Sequence, residues 1–255
     1  IAEYIRSKGV MFMSSLWDPK SLEVLNPFIE IHKVGSGDIT WLESIERMAT
    51  KGKPVFLATG ASNMEDVVRA VNSLSALTPD FCIMQCNTNY TGSLDNFKYI
   101  NLNVLSTFSI AFPGVILGLS DHTPGHATVL GAVALGAKAI EKHFTDDRDQ
   151  VGPDHAFSMN PTEWRDMVDR TRELEYAMGD GIKVVEENEK ETVIIQRRSG
   201  YAKKNVPTGH ILKEADIEYL RPAKVGAFIP YETEEWQGKK VINALSKGDS
   251  LFRSN

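Results

Sequence analysis

Short apolar runs closed by glycine, serine or proline recur along the first two thirds of the chain, and each is followed by an amphipathic stretch. VMFMSS (10–15), IHKVGSG (31–37), PVFLATG (54–60), FCIMQC (81–86), ILGLS (116–120) and AKAIEKHF (137–144) are too short for helices. They are also too uniformly apolar for strands with one wet face, and read as strands of a parallel sheet covered by helices. The intervening segments carry helical periods: PKSLEVLNPF (19–28), ITWLESIERMATKG (39–52), EDVVRAVNSL (65–74) with Ser62 as its expected N-cap, and DNFKYINLNVLSTFSIA (95–111). A small-residue helix after DHTPGH joins the last two strands. NPTEWRDMVDRTRELEYAMGDG (160–181) has the strongest helix signals, with Asn160 as N-cap, Pro161 at the first helical position and Glu163 at the third.

Six strands at intervals of roughly 20–35 residues have the rhythm of βα repeats. A (β/α)8 barrel of TIM type needs eight, and an open doubly wound sheet is the structural alternative. The chain opens in IAEYIRSKG, the last turns of a helix stopped by Gly9, with no strand before it. The α/β fold is therefore expected to be a barrel lacking about its first two βα units. Residues 1–181 form the expected barrel domain and 182–196, a charged run, an expected linker. From residue 197 the texture changes to short strands with Gly and Pro and no long helix period, which marks a small, mainly β domain over 197–255.

Composition narrows the function classes. Of 255 residues, 42% are hydrophobic and 24% charged, as in an ordinary water-soluble fold. A net charge of −6 argues against broad nucleic-acid binding. No apolar run approaches the ~20 residues of a membrane span, and no signal-peptide pattern opens the chain. Cys82 and Cys86 are the only cysteines. On one strand they would lie roughly 13 Å apart, too far to bridge, so a reducing, cytoplasmic setting is expected.

The candidate chemistry lies in residues 116–155. Two strands there each end in a histidine, His122 and His143, and the loop beyond carries Asp154 and His155. Ligands of parallel α/β folds bind beyond the carboxyl ends of the strands. Two imidazoles there read either as a metal site open to substrate or as strand caps.

GLSDHT (118–123), IEKHFTDDR (140–148), GPDHAFS (152–158) and KVGSGD (33–38) resemble the sialic acid synthase family, and RRSGYAKKNVPTGHILKEADIEYLRP resembles the antifreeze-like (SAF) domain that ends those enzymes. The resemblance implies a barrel followed by that domain in a domain-swapped homodimer, with no nucleic acid or membrane partner. It implies condensation of phosphoenolpyruvate with an acylamino sugar, typically N-acetylmannosamine, with release of phosphate and a need for a divalent metal, Mn2+ or Mg2+. By similarity His122 and His143 are the metal ligands, and Ser15, Lys33, Ser36 and Ser120 hold phosphoenolpyruvate. Tyr90, Asp154 and, from the partner's tail domain, Arg221 face the sugar, while Asp38 and Asp154 carry acid–base work.

The sequence departs from the family pattern at Ala58, which leaves Thr59 to supply a hydroxyl, and in QCNTNYTG, where Thr88 or Asn89 faces substrate. These departures leave the acceptor open between N-acetylmannosamine and a diamino-trideoxy sugar. The family's first two strands, with their glutamate and lysine/glutamine pair, are not in this sequence, so the chain alone is expected to be inactive. Two other readings compete. One is another metal-dependent aldol-type barrel, which leaves the tail unexplained. The other is a non-catalytic sugar-binding or ice-binding module, which rests on the tail alone.

Overall fold

The computed structural model describes residues 1–90 and 92–255. The chain divides into two compact units, Ile1–Asp180 and Gly181–Asn255. In the first, α1 (Ala2–Ser7) precedes a six-stranded sheet of β1 (Ser14–Ser15), β2 (His32–Val34), β3 (Val55–Ala58), β4 (Phe81–Cys86), β5 (Ile116–Asp121) and β6 (Ala139–Lys142). Helices α2 (Pro19–Leu25), α3 (Leu42–Ala49), α4 (Met64–Ser75), α5 (Val104–Ala111) and α6 (Ala127–Ala134) connect them, and α7 (Pro161–Met178) follows.

Every strand pairs in parallel with the next, in sequence order. A doubly wound sheet would reverse its order at a switch point. This sheet does not, and its order is that of consecutive βα units of a barrel. Side-chain alternation gives its two faces different jobs. Val34, Val55, Leu57, Ile83, Leu117 and Leu119 join Ile45, Val71, Leu74, Leu105 and Phe108 in one helix-covered core. The residues of opposite parity, Lys33, Ala58, Cys86, Ser120 and Glu141, line a cavity instead.

Several elements differ from expectation for local reasons. The strand expected over 10–15 shortens to Ser14–Ser15, which pair only with His32 and Lys33, and Leu16 turns into the core at once. The helix expected over 95–111 is broken into a 3-10 segment (Leu94–Tyr99) and α5, because Asn101 adopts φ 50°. Asparagine is among the few residues that enter the left-handed region readily. The N-cap of α4 is Asn63 and not Ser62. Asn63 accepts from the Glu65 and Asp66 amides while Asp66 accepts from the Asn63 amide, and Ser62 donates to the Gly60 carbonyl. The reciprocal Asn160–Glu163 box at the start of α7 is present as read.

The second unit holds α8 (Lys190–Gln196), the antiparallel pair β7 (Ser199–Ala202) and β8 (Ile217–Leu220), and α9 (Thr233–Trp236). Val206, Leu212, Trp236, Val241 and Leu251 form its core. The charged run 182–196 is helical over Glu187–Glu189 and in α8. Asp216, buried beneath the hairpin, takes Lys204 at 2.8 Å and His210 at 2.7 Å. Burial would raise its carboxyl, but those two partners and the Lys213 amide hold it well below the usual carboxylate range.

His32 is fully buried on the helix face of β2, and neither ring nitrogen has a hydrogen-bond partner among the described residues. Burial first, then the Lys53 and Lys51 charges, push it from 6.5 down to about 4. The unfolded chain therefore takes up a proton at a pH where the folded chain does not. The stability this site contributes is complete above pH 6.5 and is lost as pH falls toward 4, by about 3 kcal/mol. Urea unfolding at a pH near neutrality and one near 4.5 should show this increment in the wild type and not in His32→Leu. Equal pH dependence in both proteins would contradict it.

Candidate functional site

The site is a cavity of about 330 Å³ at the carboxyl ends of the strands. Its lining includes Ser15, Lys33, Ser36, Tyr90, Ser120, His122 and His143, seven residues proposed from sequence. Consecutive βα units bring them together, since Ser15, Lys33, Ser120 and both histidines each sit on, or one residue past, a strand that pairs with its sequence neighbour. The same lining adds Trp17, Cys86 and Glu141. Glu141 could have been found by parity, since it lies two residues before His143 on the same face of the β6 segment.

Lys33 is 5% exposed and its Nζ lies 3.3 Å from a Glu141 carboxylate oxygen and 3.3 Å from the Val34 carbonyl. Ser15, Ser36 and Ser120 line the same cavity. The Ser36 Oγ accepts from the Gly60 amide at 3.0 Å. A Cβ at Gly60 would sit 1.9 Å from Thr88 Oγ1, 2.8 Å from Ser36 Oγ and 3.0 Å from Cys86 Sγ, so only glycine lets these groups converge. Thr88 thus lies beside Ser36, whereas Asn89 takes a hydrogen bond from Asn96. A buried cation in a cavity lined by serine hydroxyls is a cradle for a small multiply charged anion.

The two imidazoles lie 5.1 Å apart between ring centroids. Tyr90 and Phe157 wall them, Tyr90 at 4.3 Å from His122 and Phe157 at 5.0 Å from His143. A metal-binding histidine usually engages its second ring nitrogen with a carbonyl or carboxylate. His122 Nδ1 donates to the Asn87 carbonyl at 2.9 Å, and His143 Nδ1 faces an Asp154 carboxylate oxygen at 3.4 Å. Nε2 of each ring remains as the donor atom. The pair fits a divalent ion, with Asn87 and Asp154 as its supporting partners. Among the described residues no three His, Cys, Asp or Glu side chains gather to hold a metal, so water and substrate oxygens would complete the coordination.

Burial lowers His143, and the neighbouring His122 charge adds to that. For His122 burial is outweighed by Cys86 and the Asn87 carbonyl, and it titrates above its ordinary value. Burial would raise the Cys86 thiol, yet hydrogen bonding with His122, Ser36 and Ser120 holds it lower.

The remaining proposed residues lie elsewhere. Asp154 adjoins the cavity through His143. Asp38 ends the 3-10 turn Ser36–Asp38 and does not line the cavity. Thr59 donates to the Met84 carbonyl and lines a neighbouring cavity, so its hydroxyl is committed to the backbone of β4. Arg221 belongs to the second unit, where its Nε donates to the Gln196 carbonyl at 2.5 Å.

Residues 1–183 match the NeuB family. The chain belongs to that family. It is 36% identical over 249 residues to the N,N'-diacetyllegionaminic acid synthase of Campylobacter jejuni, covering 96% of this chain and 72% of that protein. It is 30% identical over 253 residues to human N-acetylneuraminate-9-phosphate synthase, covering 99% and 69%. The chain spans between 66% and 72% of the length of such curated relatives. Among solved structures, the N-acetylneuraminic acid synthetase of Leptospira borgpetersenii superposes with a TM-score of 0.69 at 29% identity, over 75% of this chain and 66% of that one. The NeuB match ends at residue 183, close to the boundary between the two units.

Proposed function

We propose that this protein is a nonulosonic acid synthase that condenses phosphoenolpyruvate with a 2-acylamino sugar and releases phosphate. The observation that carries the reading is one cavity whose lining brings the buried Lys33 and three serines together with a pair of imidazoles. Lys33, with Ser15, Ser36 and Ser120, holds the carboxylate and phosphate of phosphoenolpyruvate. His122 and His143 hold Mn2+ or Mg2+, which when bound acts as a Lewis acid on the sugar aldehyde. C3 of phosphoenolpyruvate forms the new bond to the aldehyde carbon, water adds at C2, and phosphate leaves by C–O cleavage to give a 2-keto acid. Asp154 orients His143 and the acceptor, Tyr90 borders the acceptor, and Asp38 relays a proton through water. Thr59 supports β4 and the loop that follows it.

Both N-acetylmannosamine and a diacetylated diamino-trideoxy hexose belong in the test, since proteins named for N-acetylneuraminic acid and for N,N'-diacetyllegionaminic acid synthesis match this chain. Mass spectrometry of the intact protein's reaction with each sugar should show one nine-carbon 2-keto acid. Unreacted phosphoenolpyruvate with both would refute the reading.

We further propose a domain-swapped homodimer, working in the cytoplasm, with residues 197–255 as the antifreeze-like (SAF) domain that carries Arg221 to the partner's acceptor. In the intact protein Arg221→Ala should raise KM for the sugar at least tenfold and leave that for phosphoenolpyruvate within about twofold, the pattern of a lost acceptor contact. Mixing it with a Lys33→Met variant should restore part of the activity through hybrid dimers. Absence of rescue despite demonstrated subunit exchange would oppose the trans arrangement.

A further inference from the structure

Directly behind the two imidazoles lies a group that the proposed chemistry does not use. Asp121 and Lys142 are partners in the β5–β6 register, and each immediately precedes one of the histidines. His122 and His143 open onto the cavity, and Asp121 and Lys142 border the same lining while alternation brings the Asp121 carboxylate against Thr128 of α6. There Lys142 Nζ donates to an Asp121 oxygen at 2.7 Å, with side-chain exposures of 1% and 0%. The carboxylate also accepts from the Thr123 amide and hydroxyl and, at 2.6 Å, from the Thr128 hydroxyl of α6. Lys142 donates a second bond to the Thr123 carbonyl at 2.6 Å.

We propose that this buried pair is a positioning device: it sets the spacing of His122 and His143 and so the affinity of the imidazole pair for a divalent cation. The inference rests on the metal reading above. Three observations carry it. First, Asp121–Lys142 is the last aligned pair of the β5–β6 ladder. Past it, His143 turns to Met159, whose amide donates to its carbonyl, and His122 to Asn87. The ion pair, with the Lys142–Thr123 bond beside it, therefore ties the two histidine-bearing segments together where the ladder ends.

Second, the pair is locked from three elements, β5, β6 and α6, and each carboxylate oxygen has at least two donors. Third, removing two charges from water carries a desolvation penalty, and an apolar pair of similar volume often stabilises a fold as well or better. What the charged pair adds over such a filling is directional geometry, and the groups placed by that geometry are the adjacent imidazoles.

The test compares the intact wild-type protein, Asp121→Asn/Lys142→Met and His122→Ala/His143→Ala, measuring Mn2+ affinity from the spin-resonance signal of free Mn2+ alongside the thermal midpoint. The neutral pair keeps shape and most of the hydroxyl network, so its midpoint should stay within a few degrees while Mn2+ binding weakens about 10- to 100-fold, the range for lost supporting partners of metal ligands. A purely structural pair would move the midpoint and leave the affinity of the folded fraction alone. Mn2+ affinity within about twofold of wild type in the folded neutral variant would overturn the inference and leave the metal reading standing. Wild-type binding no tighter than that of His122→Ala/His143→Ala would overturn both. Should the neutral pair not fold, Thr128→Val takes one hydroxyl from the carboxylate at constant shape. It should weaken Mn2+ binding at least about threefold, and no change there would overturn the inference.

Discussion

Replacing His122 and His143 together with alanine is expected to abolish divalent-metal binding and to lower synthase turnover by roughly 10³-fold or more. Polarising a carbonyl by a metal ion is worth several kcal/mol, and about 4 kcal/mol corresponds to that factor. The fold should survive the change. Both rings stand on the cavity face, outside the helix-covered core, and His143 is about a quarter exposed. The variant loses both Nε2 donor atoms together with the Nδ1 contacts to the Asn87 carbonyl and Asp154. Metal analysis of the purified variant, together with its thermal midpoint, separates a lost site from a lost fold. Metal content equal to the wild type would contradict the assignment.

Lys33→Met should have the second largest effect, a fall in kcat/KM for phosphoenolpyruvate of about 10²- to 10³-fold. Truncating one partner of a buried, hydrogen-bonded charge pair typically costs 2–5 kcal/mol or more. Lys33 would be the buried partner of such a pair with the substrate anion, since it is 5% exposed and shares its cavity with Ser15, Ser36 and Ser120. Methionine keeps the length of the side chain and removes the charge. The metal affinity of this variant should stay near that of the wild type, because Lys33 sits among the serines and the imidazoles are held by other partners. Steady-state kinetics with phosphoenolpyruvate as the varied substrate checks the first part, and Mn2+ titration the second. An unchanged kcat/KM would remove Lys33 from the anion cradle.

The chain's periodicity carried most of the first unit. FCIMQC is β4 to the residue, and the Asn160–Pro161–Glu163 signals start α7 where they should. These elements are legible because their patterning and end signals agree with the packing around them. β1 was less legible, because a strand is defined by its neighbour and only Ser14 and Ser15 find one in β2. The segment 95–111 was misread because its apolar residues hid a single left-handed position at Asn101.

At the site, His122, His143, Lys33, Ser36 and Ser120 were legible from the family-like motifs, and the cavity brings them together. Glu141 was hidden as an ordinary charged residue inside a strand. Asp121 and Lys142 were hidden more deeply, since a charged residue beside a histidine reads as part of a polar turn. Only the register, which pairs the two directly, shows that they face each other across buried space. Thr59 shows the opposite case. The sequence offers its hydroxyl to substrate, but β4 supplies it with a backbone carbonyl at 2.9 Å.

The measurement that bears most directly on the account is phosphate release from phosphoenolpyruvate by the intact protein, assayed with acceptor sugar and Mn2+ present together, each alone, and neither. The account predicts release only when both are present, in step with formation of the nine-carbon 2-keto acid, and its loss in His122→Ala/His143→Ala. Phosphate release that ignores the sugar, or that continues at full rate after exhaustive chelation, would contradict it.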